Sequence, residues 1–208
     1  KYDRGDLMIH TLKRDKVLFK MSKDVQPILR VKSGDSIAIE TEDCFCHSIT
    51  CDENDLNCVD LKKINPATGP IYVEGAEPGD TLNVEIESIL LDAEGVTSVL
   101  PDSGVLGKSV KEFTPKMIRL EDGYAYFNNF KIPVKPMIGV IGVAPENGEI
   151  FCGEPGAHGG NLDTLQITSE SIVKLPVFHP GALLSIGDVH ASMGEGEVCG
   201  TGIETRAS

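Results

Sequence analysis

The sequence predicts a mainly β protein, built as sandwich-like or barrel-like layers of short antiparallel strands with little helix. Two observations lead to this prediction. Three segments consist of a tight glycine turn followed by strict alternation of apolar and polar residues, which is typical of a strand with one buried face. Helical periodicity is almost absent from the chain. Many short strands separated by Gly and Pro turns favour a sandwich or a barrel.

The three alternating segments follow Gly34, Gly79 and Gly181. They predict strands that begin near residues 36, 81 and 183. Their irregular spacing excludes a solenoid or a propeller, which would need a fixed repeat.

Weaker signals complete the expected fold. Residues 71–73 and 116–120 are predicted strands, and residues 121–123 form a hairpin turn signal. The apolar segment 137–144 is bracketed by prolines, and its two glycines indicate close backbone approach. A single helical turn is predicted near residues 169–172.

A domain boundary is expected in the polar, glycine-rich region from about 92 to 115. It would separate an N-terminal β-sandwich part, residues 1–110, from a second β part, residues 111–208, that carries most of the site. One continuous domain is the alternative.

Composition limits the possible functions. The chain has 208 residues, 40% hydrophobic and 25% charged, so a sizeable core is expected. Its net charge of −13 argues against nucleic acid and anionic membrane surfaces as partners, because both require basic patches. No apolar run is long enough to cross a bilayer, and the first ten residues lack the apolar core of a signal peptide. We therefore expect a cytoplasmic protein.

Four of the six cysteines lie within fifteen residues, together with one histidine: Cys44, Cys46, His47, Cys51 and Cys58. Structural zinc sites pair one C-x2-4-C unit with a second unit, and this spacing does not match that pattern. Ordinary reduced thiols are the favoured interpretation, and a secondary metal site is the alternative.

The candidate functional segment spans residues 153–204, where three of the five histidines lie among glycines and acidic side chains. Within it, Leu184, Ile186, Asp188 and His190 share one parity, so in a regular strand they face the same side. A carboxylate and an imidazole on a partly buried face need partners. A divalent metal would satisfy both residues, and so would an Asp–His hydrogen bond that ties the strand to a loop. The spacing leaves both interpretations open.

Several segments, in consistent order along essentially the whole chain, resemble signature stretches of the acetamidase/formamidase family. They are NPATGP (65–70), VEGAEPGD (73–80), PMIGVIGVAP (136–145), PGAHGGNLD (155–163) and GDVHASMGEGEVCGTGIE (187–204). The resemblance implies a cytosolic, largely β, metal-dependent hydrolase that splits short aliphatic amides into a carboxylate and ammonia.

Under this resemblance, the expected metal ligands are His158, Asp163, Asp188 and His190, and the expected ion is Zn²⁺ or Ca²⁺. Asp163 is either the fourth ligand or the carboxylate that orients a ligating histidine, and an Asx turn after the glycines is the competing interpretation. Expected partners are a small amide substrate and a second copy of the chain in a homodimer.

The expected catalytic residues are Glu197 or Glu204 as the general base and Asn161 as a contact to the substrate amide. For each glutamate, the competing interpretation is a solvated surface position.

Two other functions stay open at this point. One is a non-enzymatic β binding module stabilised by calcium, with Asp43, Asp52, Asp163 and Asp188 as oxygen ligands. Two histidines in the expected site argue against calcium, because they favour zinc-like ions. The other is a folded but inactive amidase fragment.

Overall fold

A computed structural model describes residues 9–53 and 56–208. Strands dominate it, and within these ranges the helical elements are two 3₁₀ turns, Leu56–Cys58 and Gly107–Ser109. The mainly β prediction is confirmed. The described residues contain no helix long and apolar enough to cross a membrane. Residues 1–8, on which most of the leader expectation rests, lie outside the described residues.

Within residues 9–53 and 56–208, seventeen strands follow one another. In order they are β1 Ile9–Leu12, β2 Val17–Leu18, β3 Lys20–Ser22, β4 Leu29–Lys32, β5 Ser36–Ile39, β6 Ala67–Glu74, β7 Thr81–Glu85, β8 Glu94–Val99, β9 Thr114–Glu121, β10 Tyr124–Phe127, β11 Phe130–Pro133, β12 Met137–Gly142, β13 Glu149–Phe151, β14 Gly159–Asn161, β15 Ile172–Pro176, β16 Ala182–His190 and β17 Glu204–Thr205.

The predicted strand starts agree with the structure, since β5, β7 and β16 begin at residues 36, 81 and 182. The predicted hairpin turn joins β9 to β10 through Asp122 and Gly123, whose φ angles are 52° and 75°. Two consecutive positive φ values are what a tight hairpin requires. Local alternation and turn chemistry were therefore sufficient for these elements.

The predicted helical turn near residues 169–172 is wrong. Ser169 and Glu170 form a turn, and Ile172 begins β15. The Glu170 N–H donates to the Ile86 carbonyl at 2.6 Å, and the Ile86 N–H donates to the Ser171 carbonyl at 2.9 Å. Pairing with the strand beside it therefore outweighs a weak local helical signal.

The main sheet has eleven strands in the order β11-β10-β9-β8-β17-β16-β12-β14, and β6 also pairs with β16 while β2 and β4 pair with β6. Most pairs are antiparallel, as predicted, whereas β4–β6 and the separate pair β1–β5 are parallel. Strand β8 lies inside the region expected to hold a domain boundary, and it pairs with both β9 and β17. The sheet thus crosses residue 110, and a division there stays a prediction.

Strand β16 lies at the centre of this sheet, between β12, β17 and β6, and all nine of its residues are buried. Its apolar side chains Leu184, Ile186 and Val189 belong to the largest apolar cluster, with Ile71, Ile138 and Ile141. Burial of this cluster on several strands fixes the sheet. The polar residues at the end of β16 are consequently held in a rigid frame.

Candidate active site and metal centre

Asp188 and His190 lie side by side at the end of β16. The His190 Nε2 atom is 3.6 Å from Asp188 Oδ1, and both side chains are 1% exposed. Simple alternation does not explain the arrangement, because Ile186 and Val189, three residues apart, both pack in the main apolar cluster. Asp188 has a φ of 54°, a left-handed conformation that interrupts the strand. The expectation that alternation continues unbroken from Leu184 to His190 is therefore wrong.

Glu204 completes the contact around His190. It lies on β17, directly opposite His190 on β16, and its Oε2 atom is 3.0 Å from His190 Nε2. The Oε1 atom of Glu204 accepts a hydrogen bond from the Gly202 N–H at 2.8 Å. Two fully buried carboxylates therefore converge on one nitrogen of a fully buried imidazole.

Asp163 reaches the same place from the loop after β14. Its backbone N–H donates to the Gly139 carbonyl, and its φ is 38°. A Cβ atom on Gly139 would lie 2.6 Å from Asp163 Oδ1 and 2.7 Å from Asp188 Oδ2. The close approach predicted at Gly139 is thus made by two carboxylates. Only glycine, which has no Cβ atom, leaves room for both of them.

Asn65 also binds Asp188. Its Nδ2 donates to Asp188 Oδ2 at 2.9 Å, and its own φ is 51°. Asn65 was not among the residues predicted for the site, although it begins the NPATGP segment on which the resemblance partly rests.

In the part of the chain that the structure describes, three groups of side chains each bring their ligand atoms within 4.8 Å of one another. The groups share members, so they form one cluster of four carboxylates, one imidazole and one thiol. They are Asp163 with Asp188 and His190, His190 with Glu197 and Glu204, and Cys44 with Asp188 and Glu204.

Burial governs the protonation of the outer carboxylates in this cluster. It raises the pKa of Asp163 to about 7 and, with smaller contributions from its neighbours, the pKa of Glu204 to about 8. It also raises the pKa of the half-buried Glu197.

The central pair behaves differently. Burial opposes ionisation of Asp188, yet the charge of His190 and hydrogen bonds to its carboxylate outweigh burial and lower its pKa. Burial likewise opposes protonation of His190, yet Glu204 and Asp188 raise its pKa well above the usual range. The attraction between Asp188 and His190 therefore favours the charged form of each group, opposite to the effect of burial alone.

Three buried carboxylate oxygens in the cluster accept no well-aligned hydrogen bond: Asp163 Oδ1, Asp188 Oδ1 and Glu204 Oε2. The last two have His190 Nε2 as an ion-pair partner, at 3.6 Å and 3.0 Å. Buried polar atoms normally have partners, and a cation is a suitable one for converging carboxylates. The donors are carboxylate oxygens and an imidazole nitrogen, a set that divalent transition ions accept. The residues present therefore fit a divalent metal.

His158 is not part of this cluster, because none of the three ligand groups among the described residues contains it. It is 1% exposed, burial lowers its pKa, and neither ring nitrogen has a hydrogen-bond partner. Its ring packs against Gly156 and Gly160. The geometry does not support its expected role as a ligand, and that role stays a prediction.

Asn161 lies on β14 opposite Val140, two residues before Asp163, and its Oδ1 has no hydrogen-bond partner. The calcium set of four aspartates is not assembled. Asp43 accepts backbone N–H bonds from Phe45 and His47, and Asp52 accepts from Lys116 and Met117. Neither residue belongs to a ligand group of the described part of the chain.

The cysteine cluster is also divided. Cys44 is buried at the site, and burial together with Glu204 and Asp188 raises its thiol pKa well above the usual range. Cys46 is half-buried and donates its thiol to the Lys63 carbonyl at 3.4 Å. The ligand groups found in the described ranges take only Cys44 from the five clustered residues.

Comparison with known proteins identifies the family of this chain. A family model described as the acetamidase/formamidase family matches residues 10–150 and 153–208.

The chain belongs to the acetamidase/formamidase family.

Within the family, solved structures are similar over almost the whole chain. An acetamidase from Bacillus halodurans is 44% identical to this chain, with a TM-score of 0.92. The match covers 95% of this chain and 67% of the acetamidase chain. A predicted acetamidase/formamidase from Thermoanaerobacter tengcongensis is 46% identical to this chain, with a TM-score of 0.94. The match covers 97% of this chain and 67% of the other. The formamidase of Methylophilus methylotrophus is 26% identical over 85% of this chain. The chain spans only 58% of the length of that formamidase.

Proposed function

We propose that this chain forms the catalytic centre of a metal-dependent hydrolase that converts short aliphatic amides into a carboxylate and ammonia. The observation that carries the proposal is the cluster of four carboxylates around one imidazole, in which three buried oxygens accept no well-aligned hydrogen bond. Family membership supports amide hydrolysis as the reaction. The short amides are proposed from the names of the relatives, formamidase and acetamidase.

Asp163, Asp188 and His190 would hold the ion, with Glu204 beside them, because these residues meet in the overlapping ligand groups. When bound, a divalent ion supplies Lewis-acid polarisation of the amide carbonyl and favours deprotonation of water at neutral pH. Zn²⁺ and Ca²⁺ are the two candidates from the sequence. Asn65 keeps the Asp188 carboxylate oriented through its 2.9 Å hydrogen bond.

Glu197 is the best-placed general base, because Glu204 is fully buried against His190 whereas Glu197 is half-buried. Its carboxylate removes a proton from the attacking water as the new C–O bond forms. It then passes that proton to the amide nitrogen as the C–N bond breaks, and ammonia leaves. The raised pKa of Glu197 suits a group that must both accept and return a proton.

Asn161 would donate its side-chain amide to the carbonyl oxygen of the substrate, which gains negative charge in the transition state. Its unpartnered Oδ1 is available to accept from the substrate NH₂ group. A cytoplasmic location and a homodimer complete the proposal.

The test measures ammonia release from formamide and acetamide by protein of known metal content, before and after treatment with a strong chelator and after return of Zn²⁺ or Ca²⁺. Glu197→Gln should lower kcat by about 10²–10⁴-fold, the usual contribution of a general base. Glu195→Gln is the matched control, because Glu195 is exposed two residues away and belongs to no ligand group of the described residues.

Full activity in metal-free protein would overturn the metal dependence. No ammonia from any short amide, with metal bound, would overturn the hydrolase function and favour an inactive fragment.

A further inference from the structure

Cys44 is the one side chain of the cluster that the proposed mechanism does not use. It lies in the turn after β5, is 8% exposed, and has its Sγ atom within 4.8 Å of ligand atoms of Asp188 and Glu204. From the sequence, an ordinary reduced thiol was the favoured interpretation of Cys44. The tertiary structure places this thiol at the edge of the cluster, beside Asp188 and Glu204.

The backbone fixes this thiol in place. The Cys44 carbonyl accepts the Asn65 N–H at 2.9 Å, and the thiol donates to Asn65 Oδ1 at 3.6 Å. Asn65 in turn donates to Asp188. Cys44 and Asp188 are thus held on either side of one asparagine, so neither can turn away from the cluster without breaking these bonds.

A second observation concerns the carboxylates beside this thiol. Asp188 Oδ1 and Glu204 Oε2, both on side chains that are 1% exposed, accept no well-aligned hydrogen bond. Among the described residues their ion-pair partner is His190, whose Nε2 atom lies at 3.6 Å and 3.0 Å. Two buried carboxylates therefore share one imidazole nitrogen, and a cation beside the thiol would supply further positive charge.

Sulfur changes which ion such a site prefers. Carboxylates and one imidazole serve calcium, manganese and zinc with modest discrimination, whereas a thiolate selects zinc, cadmium and cobalt over calcium.

We propose that Cys44 is a sulfur donor of the metal centre: as the metal–sulfur bond forms, the S–H bond that donates to Asn65 breaks and its proton is released to solvent. The resulting thiolate makes the centre selective for thiophilic, zinc-type ions over calcium. This inference rests on the metal-dependent function proposed above and deepens it, because it names the class of ion.

The experiment uses the 208-residue chain, stripped of metal and then loaded with Co²⁺, and records its ultraviolet–visible spectrum. A cobalt–thiolate bond gives a charge-transfer band in the near ultraviolet that oxygen and nitrogen ligands do not give. The wild type and Cys46→Ser should both show the band, and Cys44→Ser should not. Cys46 is the matched control, because its thiol donates to a backbone carbonyl and lies in no ligand group of the described chain.

Competition titrations measure selectivity. Cys44→Ser should lower the ratio of Zn²⁺ to Ca²⁺ affinity by more than about tenfold, since even an outer partner of a metal ligand contributes that much. Cadmium NMR of the wild type gives a measurement that does not depend on the variant folding. A sulfur ligand moves the cadmium resonance strongly downfield of an oxygen and nitrogen site.

Two results would overturn the inference while leaving a metal centre intact: cobalt binding without the band, or a band that survives Cys44→Ser. Failure of the wild type to bind any divalent ion would instead overturn the metal part of the proposed function, and Cys44 with it. The two failures are therefore distinguishable.

Discussion

His190→Ala should be the most informative substitution in the cluster. The imidazole is 1% exposed, and its Nε2 lies 3.0 Å from Glu204 Oε2 and 3.6 Å from Asp188 Oδ1. Its removal leaves two buried carboxylates without their nearest positive charge. Removing one partner of a buried ion pair costs about 3–5 kcal/mol, because the remaining charge is uncompensated.

That cost translates into a measurable shift in melting temperature. For a chain of this size, a loss of 1 kcal/mol lowers Tm by about 2–4 °C, so the metal-free variant should melt roughly 6–20 °C below the metal-free wild type. Thermal and denaturant unfolding of the two proteins at neutral pH give both quantities. Metal content, measured by elemental analysis, should fall at the same time, and added Zn²⁺ should not restore stability.

His179→Ala is the matched control. Its ring makes one hydrogen bond of 2.9 Å, to the Pro145 carbonyl, and has no carboxylate partner among the described residues. Its loss should cost only about 1 kcal/mol and leave metal content unchanged. The reasoning is refuted if His190→Ala is no more destabilising than this control. Normal metal content in His190→Ala would likewise remove His190 from the ligand set.

Two further predictions concern the same cluster. Gly139→Ala should lower the free energy of unfolding by about 1–3 kcal/mol and reduce metal binding, because the new Cβ would lie 2.6 Å from Asp163 Oδ1. Gly194→Ala is the control, because Gly194 has open space around it. Equal melting temperatures for the two variants would contradict the prediction. Stability of the metal-free protein should fall as pH rises from about 5 to 8. The folded-state pKa of Asp163 is about 7, above its usual value of 3.8, so the folded state holds more protons than the unfolded state in this window. Melting curves across this range check the sign, Asp163→Asn should flatten the dependence, and a Tm that rises with pH would contradict it.

The sequence by itself determined the class of fold and much of its strand pattern. Alternation and turn chemistry are local properties, so the starts of β5, β7 and β16 and the Asp122–Gly123 hairpin followed from neighbouring residues alone. The resemblance likewise identified the family from short segments. Asp188 and His190 were expected together because only one residue separates them.

Only the tertiary structure decided which other side chains join that pair. Glu204 meets His190 because β17 pairs with β16, and Asn65 reaches Asp188 across 123 positions of the chain. The left-handed conformation of Asp188 changes which side chains of β16 share a face. The periodicity of the sequence does not predict this change.

The same long-range geometry assigned two residues differently from the sequence analysis. His158 is buried outside the ligand groups of the described chain, whereas Cys44 is buried beside Asp188 and Glu204. Strand pairing and loop packing are interactions between distant segments, and their outcome depends on the burial of the whole core. Local sequence therefore fixes the strands, and the packing of the sheet selects the donors that converge.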